Sequence, residues 1–318
     1  MKPTYARYWV VVFALSLAMV MYIQRVAISA AAPSITAEFH LTDTQMGWAF
    51  GAFGLSYALF EVPMGFLGDR MGVRWILTQV VLLWSLFTAL TGAAWNLTSL
   101  VVIRFVFGAG EAGCFPNLTR MLSTWLPTSE RIRAQALMWA FGRWGGALAP
   151  PIAIFAISQL GWRLGFVALA LLGVAWIAVF LPWFRNDPAE HKAVNKAELA
   201  LLEESRSLVL HDHGMPWYRL LLQKDIALLG LQYFAFSYTW YFYVTWLPTW
   251  LQRVHGLTKL ETAGYATLPL LLGGIGSIVS GALPLYIPRK WVAIGGFLST
   301  GILILIIPSV PDVKIAMA

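Results

Sequence analysis

The sequence predicts an all-α, polytopic membrane protein with about nine transmembrane helices, and three observations predict it. Hydrophobic residues make up 59% of the 318 and charged residues only 12%, a balance foreign to a soluble domain with a polar surface. Apolar runs of roughly 20 residues, the length that crosses about 30 Å of hydrocarbon, recur along the chain. Lysine and arginine gather in alternate connecting segments, the pattern that orients membrane helices. The mean hydropathy, +0.69, agrees.

The runs fall at 9–32, 46–66, 75–95, 98–119, 134–158, 163–184, 226–251, 263–287 and 291–308. The first is read as a retained span, because no short apolar region ending in a small-residue cleavage site precedes the mature pattern. Six runs come before the one long polar segment and three after it, which divides the chain into 1–184, a linker 185–225 and 226–318. The linker carries RNDPAEHKAVNKAELALLEESR, in which Asn195 reads as the cap of an amphipathic helix on the membrane surface.

With the amino terminus in the cytoplasm, fifteen lysines and arginines fall inside, from Lys2, Arg7, Arg70 and Arg74 to Arg289 and Lys290. Outside lie only Arg163, Arg253, Lys259 and Lys314. The net charge of +7 is therefore topological and gives no footprint for nucleic acid; the bilayer is the expected surroundings. Three arginines remain inside spans: Arg25, Arg104 and Arg143.

The stretch VVIRFVFGAGEAGCFP, 101–116, places Arg104 and Glu111 in an otherwise apolar run. Seven residues are nearly two helical turns, so both leave one face, about 10 Å apart along the axis. A charge at the bilayer centre costs at least roughly 2.5 kcal/mol and ordinarily faces a bundle interior or a water-filled cavity. Arg25 follows Met21, Tyr22, Ile23 and Gln24, and Arg143 sits in AFGRWGGALAPP, among glycines that permit close helix approach. Guanidinium forks match carboxylates, so three of them facing one cavity make an anion site. Burial disfavours an ionised Glu111 while a neighbouring arginine favours it, so an anion that engages the arginine changes the proton occupancy of Glu111. Tyr22 and Tyr57 offer hydroxyl donors, with packing as the plainer alternative. A structural Arg104–Glu111 pair without substrate is the bland reading of this stretch.

Other chemistries fit poorly. Cys114 is the single cysteine, which excludes an internal disulfide or cysteine metal cluster. There is no HExxH, no paired aspartates in facing spans and no GxxxxGK[ST], so neither an intramembrane enzyme nor an ATP-driven pump is indicated. His211 and His213 flank Asp212 in the linker, where a solvated loop is the simpler account than a metal site. The sequon at Asn117 lies inside a predicted span, and that at Asn96 carries little weight. Trp9, Trp95, Trp162 and Trp250 fall near span ends as interfacial anchors, and Trp139, Trp144 and Trp240 lie deeper.

Between the second and third runs stands Gly65-Phe66-Leu67-Gly68-Asp69-Arg70-Met71-Gly72-Val73-Arg74. Its G-x-x-x-D-R-x-G-x-R pattern resembles the signature loop of the major facilitator superfamily. A narrower resemblance lies in Arg104, Glu111, Phe115-Pro116, Ser123-Thr124-Trp125-Leu126-Pro127 with Glu130-Arg131, and Trp246-Leu247-Pro248. These are similar to the anion:cation symporter family, which includes hexuronate and galactonate carriers, sialin and the vesicular glutamate transporters. The resemblance implies a six-helix amino-terminal half, here with an incomplete second half. It implies that Arg25 and Arg104 contact a substrate carboxylate, that Glu111 carries a coupling proton, and that Tyr22 and Tyr57 line the cavity. Gly65, Asp69, Arg70, Gly72 and Arg74 become the inner gating motif. Gln24 stands where such carriers often place an aspartate, and Arg143 where they can have a neutral polar residue. After three spans of the second half the sequence ends, which leads us to expect a truncated or internally shortened copy lacking the family's eleventh-helix partner for Asp69.

The resulting expectation is a secondary active transporter of organic anions, sugar acid or other carboxylate, using a proton and no other cofactor. It is a multi-pass protein of the cell membrane, the bacterial inner membrane by resemblance, and a monomer unless another chain completes it. The alternative is a transport-incompetent remnant or membrane interaction protein.

Overall fold

The computed structural model describes residues 2–209, 223–283, 286–306 and 310. His211, His213, most of the carboxy-terminal tail and part of the loop after Ala282 lie outside the described residues, as does the end of the linker. Among the described residues the regular structure is helical, as it must be where no water satisfies backbone groups and no sheet closes into a barrel.

Helix α1 (Ala6–Phe39) is 34 residues long, longer than a bilayer core requires, and ends where His40 adopts a left-handed conformation at φ 52°. Helix α2 (Asp43–Met71) begins with a reciprocal cap between Thr42 and Gln45, and α3 (Val73–Thr91) follows Gly72 at φ 81°. Helix α4 (Leu97–Glu111) starts from the Asn96–Ser99 capping box, so the first sequon asparagine serves as a helix cap. The predicted run 98–119 is not one straight helix. The regular pattern breaks at Ala112-Gly113, and α5 (Cys114–Trp125) continues beyond it. Pro116 is the cause: without an N–H it cannot bond to the Ala112 carbonyl.

Helix α6 (Thr128–Trp183) covers 56 residues, about 84 Å if it were straight. It is not straight. Gly161, at φ 73° and ψ 162°, leaves the helical region, and a Cβ on Gly165 would meet Ile157 Cγ1 at 3.3 Å. Residues eight apart touch in this way only when the chain turns back, so α6 is two arms joined at Gly161, matching the separate runs 134–158 and 163–184. A 3-10 turn, Pro188–Glu190, leads to α7 (Lys196–Val209), whose Glu198 N–H is capped by Asn195 Oδ1 at 2.9 Å. Helices α8 (Lys224–His255), α9 (Lys259–Ala282) and α10 (Arg289–Ile306) complete the order. Five helical stretches are long and apolar enough to cross a membrane among the described residues, with shorter apolar helices at Thr267–Ala282 and Lys290–Ile306.

The chain groups into two compact units. The first comprises 1–206 with 270–292. In it α1 packs chiefly on α6, α2 on α4, and α3 on α4 and α6. Small residues make these approaches possible: a Cβ on Gly145 would collide with the Met19 backbone, and one on Gly108 with Ser56 and Phe53. Ile23, Ala27, Ile35, Phe166 and Leu169 lie in its apolar core. Trp162 is also buried there, its Nε1 donating to Glu38 at 2.7 Å, which makes it a packed residue rather than an exposed anchor. Trp9 and Trp95 are exposed. The linker helix α7 is tied down by ionic contacts. Arg7 bridges Glu130 at 3.2 Å and the fully buried Glu198 at 3.1 Å; Thr4 also donates to Glu198. In the second unit, 207–269 with 293–318, Leu247 and Leu251 form a small core with Trp250, Leu257 and Tyr265. Gly256 ends α8 at φ 65°.

Candidate functional site

The first unit brings three of its intramembrane charges together. Arg25 Nε on α1 donates to Glu111 Oε1 on α4 at 2.9 Å. Glu111 is fully buried, and its second oxygen has no hydrogen-bond partner among the described residues. The Arg25 guanidinium lies 4.9 Å from the Tyr22 ring, 5.1 Å from Phe53 and 4.8 Å from Tyr57. Aromatic faces stabilise a cation that has left water, and they do so more strongly where water is excluded. The close α2–α4 approach at Gly108 is what sets Phe53 and Tyr57 in this place.

Arg104 is the second cation. Only 2% of it is exposed, and its guanidinium lies over Phe107 at 4.4 Å and Phe53 at 5.1 Å. Among the described residues it makes no hydrogen bond or ion pair, and its buried Nε has no acceptor. The sequence suggested a pair of Arg104 with Glu111 along one helix. The partner of Glu111 is Arg25, across helices, because two helical turns hold Arg104 too far back for a contact. A buried guanidinium facing aromatic rings, with donors unspent, can take a planar anion in bidentate fashion.

Tyr22 and Tyr57 are both buried. Tyr22 contacts Phe115 edge to face at 6.3 Å, and Phe115 stacks on Trp139 at 4.2 Å, forming an aromatic wall from α1 to α6. Arg143 joins electrostatically through Tyr22 and lies against Gly273 of α9, where a Cβ would come within 3.0 Å of its Nη1. The glycines after Arg143 act as the sequence suggested: Gly142 and Gly146 leave room for the Tyr22 ring. Trp144 is spent on packing, its Nε1 donating to the Leu271 carbonyl at 3.2 Å. Gln24 does not join the site. It is buried, its Nε2 donates to the Leu169 carbonyl at 2.7 Å, and its Oε1 accepts from Thr88 at 3.3 Å.

The loop motif docks on α5 and on the end of α6. Asp69 pairs with Arg120, Gly65 rests against Pro116, and Gly68 admits the Asn117 side chain where any Cβ would collide. Asn117, the second sequon residue, donates to the carbonyls of Gly113 at 2.7 Å and Met64 at 3.3 Å. Gly72 turns the chain at positive φ against Asn186. The Arg74 backbone N–H donates to Asn186 at 2.8 Å, and the Arg74 guanidinium donates twice to the Leu181 carbonyl. Arg70 stacks on Phe66 at 4.6 Å. Residues missed from the sequence are Phe53 and Phe107, which flank the arginines, Arg120, which holds Asp69, and Glu61, an acid in the span 46–66. Only Glu61 had a visible signal, a charge within an apolar run. Among the described residues there is no group of three or more side chains suited to a metal.

Apolar helices with arginines and a carboxylate buried among them define a polytopic membrane protein. The chain belongs to the Major Facilitator Superfamily, whose family model matches residues 14–318. It is 35% identical over 264 residues to the "Probable sulfoacetate transporter" of Cupriavidus necator, covering 82% of this chain and 61% of that protein. It is 29% identical over 306 residues to the D-galactonate transporter of Escherichia coli O6:H1, covering 92% of this chain and 70% of the relative. Both relatives bear the name of a transporter. In fold it resembles the inward-facing, unoccupied crystal structure of a bacterial homologue of the human lysosomal transporter Spinster, with a TM-score of 0.69 at 22% identity. That likeness covers 98% of this chain and 71% of the other.

Proposed function

We propose that the protein is a secondary active transporter of small organic anions, coupled to protons by alternating access. The observation that carries this reading is Arg104: a guanidinium 2% exposed, inside the membrane, with neither hydrogen bond nor ion pair among the described residues. Burying a charge without a partner is costly, and a substrate carboxylate would relieve that cost. Arg25 would be the second contact, with Tyr22, Tyr57 and Arg143 bordering the cavity. When the anion competes for Arg25, Glu111 loses its counter-ion in a dry environment and takes up a proton, which couples the two fluxes. Asp69 with Arg120, and Arg74 with Leu181, would hold the cytoplasmic end of the bundle through Gly65, Arg70 and Gly72.

The relatives' names support carboxylate-bearing substrates, with sulfoacetate and D-galactonate as the first two to try. We further propose nine spans, six of them in 1–184, a cytoplasmic linker 185–225 and three in 226–318, with the amino terminus in the cytoplasm; the turn at Gly161 supports the count in the first part. The test is uptake into proteoliposomes under an inward proton gradient, with sulfoacetate, D-galactonate and uncharged galactose. Accumulation of one anion above equilibrium, abolished by a protonophore, is expected. Equal uptake of galactose, or accumulation of neither anion, overturns the reading.

A further inference from the structure

Arg104 is surrounded by rings and not by acceptors. Its guanidinium lies 4.4 Å from Phe107 and 5.1 Å from Phe53, and its buried Nε finds no acceptor among the described residues. Polar side chains of the neighbouring helices are committed elsewhere. Ser56 on α2 donates to the Phe53 carbonyl at 3.0 Å and is buried against Gly108. Thr88 on α3 donates to Gln24 at 3.3 Å and to the Trp84 carbonyl at 2.9 Å, and the Gln24 amide donates to Leu169. Asn117 on α5 donates to Gly113 and Met64, with its oxygen packed on Gly68.

Acceptors gather around Arg25 instead. Glu111 stands two helical turns from Arg104, about 10 Å along α4, and gives one oxygen to Arg25 at 2.9 Å. The rings of Tyr22 and Tyr57 flank the same guanidinium, and Glu61 follows Tyr57 by one turn of α2. Arg143, on the α6 side, brings N–H donors and no acceptor. The site is therefore uneven, with donors on every arginine and acceptors only at the Arg25 end.

Resting on the transporter reading above, we propose that Arg104 selects acids with no hydroxyl on the carbon next to the group it holds, so that the substrate is an unhydroxylated carboxylate or sulfonate and not a sugar acid. Carboxylate and sulfonate oxygens only accept, and the N–H groups of Arg104 serve them in full. A hydroxyl also donates. Beside Arg104 its oxygen could take an N–H, but its hydrogen would face Phe53 and Phe107 and lose the bond it made in water. A methylene or methyl group in the same place meets aromatic carbon and loses nothing. D-Galactonate carries a hydroxyl on every carbon beyond its carboxylate, whereas sulfoacetate has only a methylene between its acid groups.

The experiment is binding to the full, unsubstituted chain in detergent, read by isothermal titration with sulfoacetate, D-galactonate, succinate, tartrate and 2,3-dimethylsuccinate. The last three share length and charge and differ in what stands next to the carboxylates. Tartrate is expected to bind roughly ten- to a hundredfold more weakly than succinate, and D-galactonate than sulfoacetate, while dimethylsuccinate binds more tightly than tartrate. Tartrate equal to succinate, or D-galactonate equal to sulfoacetate, overturns the proposal and leaves the transporter reading standing. Dimethylsuccinate weakened as much as tartrate also overturns it, since lack of space and not lack of acceptors would then set the preference. Binding of none of the anions overturns the proposal together with the reading on which it rests.

Discussion

Arg25 Nε and Glu111 Oε1 meet at 2.9 Å between α1 and α4, while Arg104, two turns back on the same helix as Glu111, lies over Phe107 and Phe53 with no acceptor among the described residues. The two arginines therefore have different tasks. Arg25 balances the carboxylate, and Arg104 holds donors in reserve.

Glu111→Gln tests the first task. The amide keeps the shape and an acceptor for Arg25 but carries no exchangeable charge. Binding and anion exchange persist, and accumulation driven by a proton gradient is lost. Glu111→Ala removes the acceptor and leaves the Arg25 charge uncompensated in the interior, which costs about 3–5 kcal/mol. Uptake assays and thermal unfolding in detergent separate the two variants.

Gly68→Ala is expected to be destabilising by about 1–3 kcal/mol. A methyl group at this position overlaps Asn117, whose amide is held by the carbonyls of Gly113 and Met64 and cannot swing aside cheaply. The melting temperature measures the loss. Adding Asn117→Ala to it recovers part, since the obstructing atoms are then gone.

Gln24→Glu does not add a proton to the transport stoichiometry. Its carboxylate faces the Leu169 carbonyl that the amide now donates to, and unsatisfied buried partners cost about 1–3 kcal/mol. A lowered melting temperature with unchanged protons per anion is the expected pair of results.

His191 gives the linker a pH dependence. Its ring packs against Trp183 at 4.5 Å and Trp125 at 5.5 Å, Nε2 donates to the Trp183 carbonyl at 3.1 Å, and Nδ1 accepts from Ala193 N–H at 3.2 Å. Burial, chiefly, holds its pKa below the ordinary 6.5. A base with a depressed folded pKa contributes fully above the unfolded value and loses that contribution as pH falls below it. Docking of 185–206 therefore weakens below pH 6.5, and His191→Gln flattens the dependence. Protease sensitivity of the linker as a function of pH reads this directly.

Much of the fold was legible because intramembrane charge and apolar run length are strong signals. Arg25, Arg104 and Glu111 stood out as charges within runs, and the structure gathers them. Asn195 was legible as a helix cap because capping depends on a few adjacent residues. Partnership across helices was not legible. Spacing within α4 offered Arg104 to Glu111, whereas the three-dimensional partner is 86 positions away in sequence. The role of Gln24 depends on Leu169 and Thr88, which no local pattern links to it. The pair of Asp69 with Arg120 was not legible either, because it depends on Gly65 and Gly68 letting α2 lie directly on α5. The break at Ala112-Gly113 was hidden in an unbroken apolar run, although Pro116 carried its signal.

The most direct measurement is binding of sulfoacetate and D-galactonate to the unsubstituted protein and to Arg104→Ala, read as the shift in melting temperature with anion concentration. The account predicts protection by at least one of the two anions in the unsubstituted protein and none in Arg104→Ala, with the variant still folded. Undiminished protection in Arg104→Ala would contradict it, since the anion would then be held without the arginine on which the site is built.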